Sequence, residues 1–179
     1  DLILTASTGN VVFNFAVTIA NLIINSANNV DINSTISAAS ITQTAGTGTT
    51  TISGDISSAG TVDMTSAAIT FDGALTDGSI NAAGQLVKLN ASGGSVTGGT
   101  DPFDVTSDTL VVTAATGVNL DTKVSNLAFD NATSGAVDIE NTGALTVGNF
   151  GGVATSQNDG GTTTITSHSP VTIAANIIQ

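Results

Sequence analysis

The chain has 179 residues, a formal net charge of −12 and only two basic residues, Lys88 and Lys123. It cannot neutralise a phosphate backbone, which excludes nucleic-acid binding, and an anionic membrane surface repels it. The absence of Cys removes disulfides, thiolate catalysis and Cys-based metal sites, while 40% hydrophobic residues, mostly small or β-branched, supply a core without Trp or Tyr.

Residues 1–59 read as an irregular N-terminal β segment. "VVFNFAVTIANLIINSANNVDINSTI" alternates through Val12, Asn14, Ala16 and Thr18, but its phase is not legible. "TAGTGTTTISG" reads as a longer turn or a loop. The segment is a candidate assembly or capping region, with Val11, Phe13 and Phe15 as candidate contacts, because an apolar strand at an open end invites another strand.

From residue 60 onward, apolar-x-apolar steps recur. Val62/Met64, Val87/Leu89, Leu110/Val112, Val137/Ile139 and Thr163/Ile165 make a first column. Ile69/Phe71, Val96, Val118/Leu120, Leu145/Val147 and Val171/Ile173 make a second. Ile80, Phe103/Val105, Leu127/Phe129 and Val153 make a looser third. Period-two alternation means strand, and short strands at matched spacings joined by Gly, Asn, Asp and Ser mean a solenoid. The expected fold is all-β: a parallel β-helix with coils of about 22–27 residues and three short strands per coil. Residues 60–179 are its regular part, and the whole chain is one continuous solenoid. Val137, Ile139, Leu145, Val147, Val171 and Ile173 should point inward, and Asp138, Thr146 and Thr172 outward. Helices are excluded by the Thr, Val, Ile, Asn and Gly content, and a β-sandwich would not require the matched spacings.

"GTVDMTSAAITFDGALTDGSINAAG" and "GAVDIENTGALTVGN" resemble the repeats of long exported bacterial surface proteins, the filamentous-haemagglutinin-like adhesins and related β-strand-repeat proteins. The resemblance covers about Gly60 to Ile178. It implies secretion, an extracellular or cell-surface location, and a role in adhesion or in building a filament. No N-terminal secretion-domain motif is recognisable. The expected function is a non-enzymatic structural subunit of a surface filament, sheath or layer that assembles through its open ends. The alternative is the stalk of a large adhesin that binds host or environmental glycans. The chain starts at Asp1 and stops in mid-pattern, so the expected partner is a second copy or the remainder of a longer chain. Extracellular glycans are a further candidate partner; nucleic acid and a membrane span are not expected.

Catalytic signals are weak. His168, in "TSHSP", reads as a turn histidine, and no nucleophile elbow is present. Glu140 is the lone Glu, and Lys88 and Lys123 without any Arg make a poor lyase set. "TDPFDVTSD" places Asp101, Asp104 and Asp108 on one segment, and "FDGALTDGS" places Asp72 and Asp77 around a turn. Carboxylates with turn carbonyls can hold Ca²⁺, so Asp101 and Asp104 are the candidate calcium ligands, against the plainer reading of Asp as a turn cap. No other cofactor is expected. Thr70, Thr97, Asn119, Thr146 and Thr172 form a single outward column in this reading; ice binding, a remote alternative, needs two. The sequons at Asn33, Asn90 and Asn131 are frequent by chance in such a composition.

Overall fold

The computed structural model describes residues 1–72, 77–100 and 102–179. Among these are twenty β-strands and no helix. Every strand pairing is parallel, and the chain winds through about nine turns of a β-solenoid.

Three inward columns build the core. On the first face Leu2, Leu22, Ile41, Val62, Val87 and Leu110 lie one above another, continuing through Leu127 and Val147 to Ile173. On the second, Val11, Val30, Thr50, Ile69, Val96 and Val118 lead to Val137 and Thr163. On the third, Val17, Ile36, Ile56, Ile80 and Val105 lead to Thr122, then Asn141, then Ser167. Coils stack about 4.8 Å apart, so each inward side chain touches its counterparts above and below. Each fully buried aliphatic side chain contributes about 1.5–3 kcal/mol from leaving water.

Residues 1–59 are as regular as the rest. Leu2 lies on Leu22, Val17 on Ile36 and Ile41 on Val62, steps of 19 to 21 residues. Thr49–Ile52, expected as loop, is a strand paired on both sides. The inward set here is Val11, Phe13, Val17 and Ile19, with Val12, Asn14 and Thr18 exposed.

The matched spacings hold downstream of Val137, where Ile139 pairs with Ile165 and Val147 with Ile173. Further upstream Val62, Val87 and Leu110 share one face and Ile69, Val96 and Val118 the next, as expected, but the join to Val137 slips by one face. Val137 lies on Val118 rather than Leu110, and Leu110 lies on Leu127, only 17 residues on. The cause is the third face: Thr122 and Asn141 take inward positions there with polar side chains, invisible to a scan for apolar pairs. Val153, placed in the third column, lies outside every strand.

Val137, Ile139, Leu145 and Val147 are buried, whereas Asp138 and Thr172 are exposed and Thr146 is half-buried. Val171 and Ile173 keep their inward register but are 43% and 55% exposed, because no coil covers them. The outward threonine column also divides. Thr70, Thr97 and Asn119 continue to Asp138 and Thr164, while Thr146 stacks on Asn126 and Thr172.

Candidate functional site

Three features of the solenoid bear on function: its two ends, an acidic corner, and a groove on the first face.

The ends are open. The first coil, Leu2–Thr5, Val11–Phe13 and the start of Val17–Ser26, pairs along one side only. So does the last, Thr163–Ser167, Val171–Ile173 and Ile177–Ile178. Leu2, Leu4, Val11, Val17 and Ile19 pack on the core from one end, and Ile165 and Ile177 from the other, all only partly buried. Of the three expected assembly contacts, Val11 lines the open end and Phe15 is 84% exposed on the turn that follows. Phe13 is buried against the core and offers little free surface.

At the acidic corner Asp104 is buried. Its Oδ1 accepts the Gly99 N–H at 2.8 Å and its Oδ2 the Asp121 N–H at 2.7 Å. The carboxylate thereby ties two successive coils. Asp77 Oδ2 accepts the Thr100 N–H at 2.6 Å, and the Thr100 hydroxyl as well. Asp108 Oδ2 accepts the Thr109 hydroxyl at 3.0 Å. Asp77 and Asp104 are engaged in holding turns, whereas Asp108 lies within the strand Val105–Ala114. Asp101 lies outside the described residues, and among the described residues no group of three or more His, Asp or Glu is placed to hold a metal ion.

Burial pushes the Asp104 carboxyl above the ordinary aspartate range; the Gly99 and Asp121 N–H groups oppose this, and the charges of Asp121 and Asp77 reinforce it. Asp121 is raised too, by partial burial and then by Glu140 and Asp138. A raised folded-state pKa means that the folded chain keeps protons the unfolded chain releases. Stability therefore falls as pH rises from the ordinary aspartate pKa, about 3.9, through the raised values. The melting temperature is expected to be higher at the acidic edge of that window than at neutral pH. Asp121→Asn removes one repelling carboxylate and should flatten the profile. A melting temperature that climbs steadily from acid to neutral pH would contradict this.

The groove depends on a segment that leaves the coil. Asn126–Asn131 pairs first with Leu145–Val147 and then with Ser156–Asn158. Residues 148–155, between them, turn back through Phe150–Val153, closed by the Val153 N–H donating to the Phe150 carbonyl at 3.0 Å. Gly151 and Gly152, at the centre of the turn, have φ of 57° and 105°, which glycine adopts without strain. Gly151 lies on the outward side chain of Val111: a Cβ on it would come within 2.4 Å of Val111 Cγ2. Val111 is consequently 5% exposed although it points away from the core. Beside this turn is a groove of about 290 Å³ whose floor carries Asp63, Thr65, Lys88, Asn90 and Thr113. Sequence reasoning did not find it. The one available signal was "GNFGGVATS", a paired-glycine stretch interrupting the strand pattern.

His168 Nε2 lies 3.0 Å from Glu140 Oε1, an exposed contact between adjacent coils. Of the sequon asparagines, Asn131 is interior with its side-chain amide fully engaged. No protein-family model, curated protein or solved structure matches this chain.

Proposed function

We propose that the chain is a non-enzymatic extracellular structural protein, a β-solenoid subunit of a bacterial surface filament, sheath or layer that assembles end to end through its open coils. The carrying observation is that each end is a complete three-sided turn with one unpaired edge. Along the first coil the order of faces is first, second, third; along the last it is second, third, first. A second copy can lay Leu2–Thr5 on Val171–Ile173; the first face then carries one strand more than the other two, so Val11–Phe13 stands one coil spacing beyond Thr163–Ser167. Such a contact is heterologous and does not close, so it propagates as a rod. Unpaired edges flanked by partly exposed Leu4, Val11, Ile165 and Ile177 favour coverage, because soluble solenoids otherwise need polar caps. The surface location rests on the resemblance of the repeats to exported proteins. The second reading, an adhesin stalk, has the same ends covered by the rest of a longer chain.

Blocking one end at a time separates these readings. Leu4→Lys places a charge at the first coil and Ile165→Lys at the last. Wild type should sediment as a concentration-dependent series and form rods by electron microscopy. Each variant alone should stay monomeric, and an equal mixture should give dimers, since each supplies the end that the other lacks. A wild-type chain that remains monomeric at every concentration, or a mixture that yields no dimer, speaks for the stalk.

A further inference from the structure

We propose that the groove between the 148–155 turn and the first face is a binding site for a neutral oligosaccharide lying along the solenoid axis. The inference is independent of assembly, because the groove is on the side of the rod.

The floor comes from outward side chains of successive coils: Asp63 and Thr65, then Lys88 and Asn90, then Val111 and Thr113. Neighbours are about 4.8 Å apart along the axis and about 7 Å along each strand. Their hydrogen-bonding capacities are complementary in kind. Asp63 as carboxylate only accepts, and Lys88 only donates. Asn90 Oδ1 already accepts the Thr113 hydroxyl at 2.9 Å, which leaves the Asn90 amide to donate. Among the described residues Lys88 has no ion-pair partner. Val111 and Val153 add an apolar wall beside these polar groups. A second groove of about 190 Å³ shares Asn90 and Thr113 and runs on to Asp130 and Thr133.

Three ligand classes compete for such a surface. A polyanion would meet Asp63 and Asp130 with Lys88 as the only cation, in a chain of net charge −12. An added peptide strand would need an unpaired edge, but the strands through Val62, Val87 and Leu110 are each paired on both sides. A saccharide meets the remaining demands. Each hydroxyl both donates and accepts, so it satisfies Asp63, Lys88 and Asn90 alike, and its C–H faces suit the half-buried Val153. An extended chain of sugars also matches a site that repeats coil by coil.

The test is an NMR titration of isotopically labelled protein with neutral gluco-, galacto- and manno-oligosaccharides and with N-acetylglucosamine oligosaccharides. At least one series should give saturable shifts at Asp63, Lys88, Asn90, Thr113, Gly151 and Gly152. Lys88→Met keeps the aliphatic stem and removes the donor; Gly151→Val lifts the turn from Val111. Each should weaken binding about tenfold, as loss of one good contact does. Lys123→Met, at the other lysine and in a separate groove, should leave binding unchanged. Unaltered core-strand spectra keep loss of binding distinct from loss of fold, and Lys88→Met decides if Gly151→Val does not fold. The proposal is overturned if none of the four series gives saturable shifts at the groove, if Lys88→Met binds like wild type, or if only an acidic polysaccharide binds.

Discussion

Ile139→Asp is expected to destabilise the protein by more than about 4 kcal/mol and to unfold several coils together. Ile139 is fully buried, stacked between Leu120 and Ile165. The substitution removes a side chain that contributes about 1.5–3 kcal/mol by burial and introduces a carboxylate with no basic partner nearby. In a solenoid each coil contacts only its neighbours, so the damage spreads to the coils above and below before it fades. Hydrogen exchange should report lost protection first for Val118–Lys123, Val137–Asn141 and Thr163–Ser167. The neighbouring exposed position gives the contrast: Asp138→Asn should change stability by no more than about 0.5 kcal/mol. If both variants melt together with wild type, the inward–outward register is wrong.

Asn131→Ala should cost about 3–5 kcal/mol, more than its small volume implies. The Asn131 side chain is fully buried at a corner. Its Oδ1 accepts the Gly117 N–H at 2.8 Å. Its Nδ2 donates to the carbonyls of Ser134 and Gly135 at 2.9 and 3.1 Å, and to Asn158 Oδ1 at 2.8 Å. Asn158 carries the ladder on by donating to the Gly161 carbonyl and the Thr163 hydroxyl, both at 3.1 Å. Truncation leaves a buried donor and several acceptors unmatched, each worth about 1–3 kcal/mol where water does not replace the partner. Asn131→Asp is the sharper test. It preserves size but turns a second oxygen toward three acceptors, so it should be worse than Ala at neutral pH and recover partly in acid, where the carboxyl regains a proton to donate. Chemical denaturation of both variants at the two pH values checks this. An Asn131→Asp variant as stable as wild type at neutral pH would mean that the ladder contributes little.

Much of the fold is legible before any coordinates. Strict alternation over Val137–Asn141 and Leu145–Val147, repeated 26 residues later, demands strands that stack, because inward apolar residues need like neighbours above and below. The poverty of helix formers and the glycine and asparagine turns point the same way. What alternation does not encode is which face a strand occupies: a Val-x-Ile step looks the same on all three. Where Thr122 and Asn141 occupy the third face, the scan therefore joined Val137 to Leu110 and Leu145 to Val118, one side off, and before residue 60 it missed coils whose steps differ from the 26-residue spacing it matched.

The charge balance, the missing cysteines and the repeat itself determine the class of molecule: an acidic rod with a layered aliphatic core. Tertiary structure alone decides that Asp104 ties coils from a buried corner, that Asn131 and Asn158 form an interior ladder, and that "GNFGGVATS" folds over Val111 to wall a groove around Lys88. The reason is separation along the chain. Side chains 17 to 27 residues apart become neighbours only when coils stack, and a shift of a few residues in coil length changes which ones meet. Local pattern specifies that there is a core; the lengths of the turns specify what faces what.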